Sequence, residues 1–127
     1  MPDLTQTKVV SVIDDDLSIR KATARLLRQH GYQVHDFDSA EAFLESSVIG
    51  LTHCLVSDVR MPGISGLELQ DRLAAMGYRI PIIFVTAFPE ERARQRALAA
   101  GAAGFLQKPF DALALTGLIE RALGPSD

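Results

Sequence analysis

The chain has 127 residues, of which 47% are hydrophobic and 23% charged. This length and composition indicate one folded domain and exclude an intrinsically disordered chain. Thirteen basic and sixteen acidic residues give a net charge of −3, and the basic residues are scattered, so we expect no direct nucleic-acid binding by this segment. Cys54 is the single cysteine, which excludes an internal disulfide. The N-terminus lacks an apolar signal segment and no apolar run nears the about 18 residues that span a bilayer, so we expect a cytoplasmic protein without membrane association.

Short apolar runs alternate with amphipathic stretches five times along the chain. The first run, residues 9–13, is β-branched and predicts a strand, and apolar side chains then recur at helical spacing up to Gly31. Ser39 is placed to cap the second helix, and Gly77 to end the third. The predicted strands are residues 9–13, 32–37, 54–57, 80–85 and 105–106, and the predicted helical stripes lie at residues 19–27, 39–44, 69–76, 93–100 and 115–122.

Strands that are apolar on both faces and separated by single helices favour a parallel sheet with helices on both sides. Right-handed crossovers then lead to a doubly wound (βα)5 domain. The second run mixes Val34 with His35 and Asp36, which is typical of an exposed edge strand. We therefore predict an α/β fold with a five-stranded, flavodoxin-like sheet in the order 2-1-3-4-5.

Polar residues follow four of these strands, at the edge where parallel α/β sheets bind ligands. Each has an ordinary explanation when taken alone, as a helix cap, a turn residue or a solvated charge. Together, however, converging carboxylates repel each other unless a cation lies between them. Oxygen ligands without clustered His or Cys favour Mg²⁺ or Mn²⁺, and a nearby lysine and hydroxyl suit a phosphoryl group. The pattern predicts phosphoryl transfer to an aspartate. The residues are Asp14, Asp15, Asp58, Thr86 and Lys108, whereas Asp16, the third acid of the first loop, is expected to cap the first helix.

Four motifs carry a resemblance to a known family. They are Asp14-Asp15, the run Asp58-Val59-Arg60-Met61-Pro62-Gly63-Ile64-Ser65-Gly66, Val85-Thr86-Ala87, and Lys108-Pro109-Phe110. Residues 8–123 resemble the receiver domain of two-component response regulators, which has the CheY-like fold. Arg60 and the Lys-Pro-Phe motif are most similar to the FixJ subgroup, whose members commonly carry a C-terminal helix-turn-helix. The resemblance thus implies that residues 1–127 are a single receiver domain and that any output domain lies outside this chain.

The resemblance also implies the role of each site residue. Asp58 would be the phosphoacceptor, attacking a phosphohistidine of a sensor histidine kinase. Asp15 and Asp58 would ligate Mg²⁺ with the backbone carbonyl of Arg60, and Asp14 would act through water. The side chains of Thr86 and Lys108 would contact the phosphoryl group.

Further expectations concern the switch that follows phosphorylation. The resemblance makes Thr86 and Phe105 the switch pair, with Phe105 rotating inward from solvent, and it implies a cis peptide bond before Pro109. It also implies a phosphorylation-dependent homodimer through the fourth helix and fifth strand. The domain would be regulatory, catalysing only its own phosphorylation and slow autodephosphorylation, and Arg60 and Phe88 would flank the water that hydrolyses the aspartyl phosphate.

Two alternatives remain open at this point. Asp14 to Ser18 also satisfy a loose Asp-x-Asp-x-Ser pattern, which would make Asp14 the nucleophile of a haloacid-dehalogenase-type phosphohydrolase. That class usually needs a cap domain, and it leaves the motif from Asp58 to Gly66 without a role. A flavodoxin-like binding module would share the sheet, but three aspartates in its first loop would repel a bound phosphate.

Overall fold

The computed structural model describes residues 7–124 and contains one five-stranded sheet with five α-helices. The strands are β1 (Val9–Ile13), β2 (Gln33–Phe37), β3 (Cys54–Asp58), β4 (Ile82–Thr86) and β5 (Gly104–Gln107). The helices are α1 (Leu17–Gln29), α2 (Ala40–Leu44), α3 (Gly66–Ala75), α4 (Glu91–Ala99) and α5 (Ala112–Leu123), and a 3-10 helix (Ile49–Leu51) precedes β3. All strand pairs are parallel, in the order β2-β1-β3-β4-β5. The predicted fold and strand order are confirmed.

Two hydrophobic clusters pack on opposite faces of the sheet. One lies beneath α2, α3 and α4 and includes the fully buried rings of Phe43 and Phe84. The other lies beneath α1 and α5 and includes Leu27 and Leu115. Every residue of β1, β3 and β4 is buried, because both faces of these central strands are covered. The apolar runs in the sequence arise from this two-sided burial.

Side-chain caps fix where four of the helices begin. The predicted cap Asp16 accepts a hydrogen bond from the backbone N–H of Ile19 at 3.0 Å, and Ser39 accepts one from Ala42 at 3.0 Å. Ser65 and Asp111 cap α3 and α5 in the same way. These caps satisfy N–H groups that lack partners within the helix. They also place the strand-to-helix loops at the carboxyl edge of the sheet.

The first predicted strand coincides with β1, and the boundaries of the other four differ from the structure by at most two residues. The fourth strand was expected at residues 80–85 but is Ile82–Thr86, because ladder pairing with β3 starts at Ile82. Pro81 precedes the strand and contributes only its carbonyl, which accepts from the N–H of Leu55 at 2.9 Å. Thr86 is therefore the last residue of a buried strand. No helix within residues 7–124 is long and apolar enough to cross a membrane.

Candidate functional site

Three carboxylates converge at the carboxyl edge of the sheet. Asp14 follows β1 and is 2% exposed, Asp58 ends β3 and is 8% exposed, and Asp15 is exposed to solvent. Side-chain oxygens of the three residues lie within 4.8 Å of one another. They meet because β1 and β3 are neighbours in the sheet. The structure thus brings together the three acidic residues that the sequence placed at the site.

The Lys108 ammonium joins this cluster from the loop after β5. Its Nζ donates to Asp14 Oδ2 at 2.7 Å and to Asp58 Oδ2 at 2.9 Å, and its side chain is only 9% exposed. The backbone N–H of Lys108 donates to the carbonyl of Thr86 at 2.7 Å, and the peptide bond to Pro109 is cis, as expected. One ammonium therefore bridges carboxylates from two strands.

Burial and charge perturb both partners of this bridge. Burial raises the pKa of Asp58 and the charge of Asp14 adds to the effect, while the hydrogen bond from Lys108 opposes it without cancelling it. Burial alone would lower the pKa of Lys108, but its bonds to Asp14 and Asp58 outweigh burial and raise it. The ammonium is therefore held in its charged form beside the carboxylates.

The donor set fits a hard divalent cation. Three carboxylates face one ammonium, and within residues 7–124 the Asp15 side chain makes no hydrogen bond or ion pair, which leaves its oxygens available. The backbone of Arg60 is also close, because its N–H donates to Asp58 Oδ1 at 3.3 Å. An all-oxygen set of this kind suits Mg²⁺ or Mn²⁺ rather than zinc.

Thr86 and Phe105, the expected switch pair, lie on neighbouring strands and on the same face of the sheet. Thr86 is 1% exposed, and its hydroxyl oxygen accepts from the backbone N–H of Phe88 at 3.1 Å. Phe105 pairs with Phe84 in the ladder, with 6.4 Å between ring centroids. Phe105 is half-buried and packs against the cluster beneath α4, so its ring lies partly inside rather than fully in solvent.

Two arginines make contacts that sequence patterns did not indicate. The guanidinium of Arg60 forms an ion pair with Glu90, the N-cap residue of α4. Arg20 on α1 donates to the backbone carbonyl of Asp14 at 2.9 Å. Both contacts join distant loops, and no local spacing signals them. Phe88, by contrast, is 69% exposed beside the site.

The comparisons with known proteins decide the family. The model of the response regulator receiver domain matches residues 10–120. The chain belongs to this family. Transcriptional regulatory protein FixJ of Azorhizobium caulinodans is 44% identical over 117 residues, covering 92% of this receiver domain and 56% of the relative. Nodulation protein W of Bradyrhizobium diazoefficiens is 44% identical over 102 residues, which cover 80% of this receiver domain and 45% of the relative.

Solved structures agree with this assignment. The crystal structure of FixJ-N has a TM-score of 0.83 at 36% identity and covers 94% of this receiver domain and 95% of that chain. The response regulator StyR has a TM-score of 0.85 at 46% identity, and the match covers 92% of this receiver domain and 59% of the StyR chain. The receiver domain spans about half the length of the curated relatives it matches.

The family assignment distinguishes the receiver domain from the phosphohydrolase and the binding module that the sequence left open. The chain is the receiver domain of a two-component response regulator, a regulatory signal-transduction module of a family that histidine kinases phosphorylate. The predicted family is confirmed. The comparisons do not support the haloacid-dehalogenase alternative or the flavodoxin-like binding module.

Proposed function

We propose that Asp58 is the phosphoacceptor of this receiver domain and takes its phosphoryl group from a phosphohistidine on a sensor histidine kinase. The observation that supports this most strongly is the ammonium of Lys108, 2.9 Å from one oxygen of Asp58 and 2.7 Å from Asp14. It holds a nearly buried carboxylate at the open edge of the sheet and supplies a positive charge where phosphoryl oxygens would arrive.

The transfer needs positioning and charge neutralisation. A carboxylate oxygen of Asp58 forms a bond to phosphorus, the P–N bond of the phosphohistidine breaks, and the imidazole leaves with the electron pair. Negative charge spreads over the equatorial oxygens of the transferring group, and Lys108 neutralises part of it. The product is an acyl phosphate on Asp58.

A divalent cation belongs to this proposal. Asp15 and Asp58 would hold Mg²⁺ or Mn²⁺ together with the backbone carbonyl of Arg60, and Asp14 would act through water. When bound, the ion supplies positive charge opposite the phosphoryl oxygens. The close approach of the three carboxylates supports this assignment.

Thr86 and Phe105 form the switch in this proposal. The Thr86 oxygen accepts the N–H of Phe88, so its own hydroxyl proton is free to donate to a phosphoryl oxygen on Asp58. That bond draws Thr86 towards the site, and the half-buried ring of Phe105 moves into the space it leaves. Two packing arrangements with different surfaces result, which is how a local charge change alters partner binding.

The proposal extends to assembly and output. Residues 8–123 act as a single receiver domain that catalyses only its own phosphorylation and slow dephosphorylation. The phosphorylated form pairs with a second copy through α4 and β5, and an output region outside this chain regulates transcription. Two relatives that match with about half their length, both FixJ proteins, are named transcriptional regulatory proteins, which supports that output.

Substitution of the phosphoacceptor tests the proposal. With acetyl phosphate and Mg²⁺, we expect the wild type to gain one phosphoryl group and Asp58→Asn to gain none, because an amide retains the shape but cannot act as the nucleophile. Asp16→Asn is the matched control, since asparagine also caps a helix and Asp16 lies outside the cluster. It should be phosphorylated like the wild type. Phosphorylation of Asp58→Asn to the wild-type extent would contradict the proposal.

A further inference from the structure

Every hydrogen-bonding group of Asp14 has a partner. Its backbone N–H donates to the carbonyl of Phe37 at 3.1 Å. Its Oδ1 accepts from the N–H of Asp16 at 2.9 Å, and its Oδ2 accepts from Lys108 at 2.7 Å. The fourth group, the backbone carbonyl, accepts from Nη1 of Arg20 at 2.9 Å. Asp14 is therefore held at all four of these groups, and the bond to its carbonyl comes from a side chain of α1.

Arg20 is itself held in place. Its Nε donates to Asp36 Oδ2 at 2.9 Å, and the two side chains are 13% and 12% exposed. Lys21 also reaches Asp36, at 3.0 Å, but its side chain is 58% exposed and it does not contact Asp14. The planar guanidinium thus spans from the edge strand β2 to the peptide that follows β1. A lysine could hold one of these acceptors but not both in the same geometry.

The carbonyl that Arg20 holds belongs to the peptide group between Asp14 and Asp15. A peptide group is planar, so the direction of this carbonyl also sets the backbone N–H of Asp15 and the point from which its side chain leaves. The Asp15 side chain is exposed and has no partner within residues 7–124. Within the described residues, the backbone on either side of Asp15 therefore directs it towards Asp14 and Asp58, and Arg20 holds the preceding peptide while the bond from the Asp16 N–H to Asp14 Oδ1 closes the turn after it.

We propose that Arg20 is a positioning residue for the metal site, and that it holds the Asp14–Asp15 peptide so that the Asp15 carboxylate faces those of Asp14 and Asp58. This inference rests on the proposed function, because it assumes that the three carboxylates bind a divalent cation. Arg20 acts through the backbone and does not touch the ion.

Geometry and charge predict opposite effects when Arg20 is replaced. Removing a positive charge near the site favours a divalent cation and would tighten binding. Losing an outer contact that orients a ligand typically weakens metal binding by about 10-fold to 100-fold. If positioning is the main role, both Arg20→Met and Arg20→Lys weaken metal binding by about 10-fold. Neither side chain can hydrogen-bond Asp36 and the Asp14 carbonyl at the same time in the geometry of the guanidinium. If only charge matters, Arg20→Met tightens binding and Arg20→Lys changes nothing.

Lys21→Met is the matched control. It removes one positive charge from the same partner, Asp36, but leaves the bond from Arg20 to the Asp14 carbonyl in place. We expect its metal affinity to stay at the wild-type value. A loss as large as that of the Arg20 variants would assign the effect to the ion pairs at Asp36 instead, and would overturn the proposal.

The experiment is Mn²⁺ binding to the whole chain, measured by titration calorimetry, with a thermal unfolding curve for each variant. The proposal predicts about 10-fold weaker binding for Arg20→Met and Arg20→Lys at unchanged stoichiometry. Wild-type affinity in both variants, or tighter binding in Arg20→Met, would overturn it. Should Arg20→Met fail to fold, Arg20→Lys, which can still pair with Asp36, decides the question. A wild type that binds no Mn²⁺ would instead refute the metal site of the proposed function, and this inference with it.

Discussion

Gly66 marks a contact between two pieces of backbone next to Asp58. It begins α3, and its N–H donates to the carbonyl of Val59 at 2.9 Å. A Cβ at this position would clash with the carbonyl oxygen of Asp58 and would lie 3.0 Å from the ring of Phe84. The motif that begins with the acidic residue thus ends in glycine because only glycine fits under the strand end.

We predict that Gly66→Ala destabilises the domain. Alanine in a helix normally gains about 0.5–1 kcal/mol over glycine, but overpacking against a fixed backbone costs about 1–3 kcal/mol, so the clash outweighs the gain. Gly117→Ala in α5 is the control, because a Cβ there meets no heavy atom within 4 Å, and it should stabilise. Urea unfolding measures both. Equal stabilisation by the two substitutions would contradict the prediction, because it would show that the backbone near Gly66 moves to accommodate a Cβ at little cost.

The ion pairs of Asp36 predict a dependence of stability on pH. Burial alone would raise its pKa, but the hydrogen bonds from Lys21 and Arg20 outweigh burial and hold the pKa below its ordinary value of 3.8. Because the folded-state pKa is the lower one, Asp36 stabilises the fold above pH of about 4. That contribution is lost as pH falls through the folded-state pKa.

Asp36→Asn therefore lowers the free energy of unfolding at neutral pH more than in acid. The measurement is the difference between wild type and variant in urea unfolding, taken at a series of pH values. Other acidic groups are common to both proteins and cancel in this difference. The difference should shrink as the solution is acidified below pH of about 4. A difference that stays constant would mean that the ion pairs contribute nothing to stability.

Among the helices, α4 is held to the rest of the domain by the thinnest apolar contact. Ala97 is its one buried residue. Polar contacts with α3 supplement it, since Gln70 Nε2 donates to the carbonyl of Ala97 at 3.1 Å and Arg96 pairs with Asp71 at 2.8 Å. A helix that buries so little apolar surface can shift at low cost. This property suits α4 to the dimer surface of the proposed function.

We predict that acetyl phosphate converts the wild type into a dimer and that Arg92→Glu prevents the change. Arg92 is exposed on α4, and reversing its charge disturbs a surface that meets its own copy. Arg25→Glu is the matched control, because Arg25 is also exposed but lies on α1, across the sheet. Sedimentation at equal extents of phosphorylation gives the masses. Dimers of Arg92→Glu, or a monomeric phosphorylated wild type, would exclude this surface.

Local patterns were sufficient to predict most elements. Apolar runs predicted the three central strands because those strands are buried on both faces, and Asp16 and Ser39 were recognisable as caps because capping depends on residues three positions apart. The start of the fourth strand was placed two residues early. Ile80 and Pro81 continue the apolar pattern, whereas the ladder depends on pairing with a strand that is distant in sequence.

For the molecule as a whole, the fold and the convergence of the acidic residues could be predicted, because a parallel sheet brings its carboxyl ends to one edge. The contacts that join separate loops could not. Arg20 reaches Asp14 and Asp36, and Arg60 reaches Glu90, only after the sheet has assembled. Such pairs have no characteristic spacing in the sequence, so only the folded structure reveals them.

The proposed function places the phosphoryl group on Asp58, and chemical mapping of the phosphorylated protein tests this location. The wild type is treated with acetyl phosphate and Mg²⁺, the acyl phosphate is reduced with borohydride, and the modified residue is located by peptide mass spectrometry. We predict modification at Asp58 alone. Modification at Asp14, the nucleophile of the hydrolase alternative, or at neither residue, would contradict the assignment.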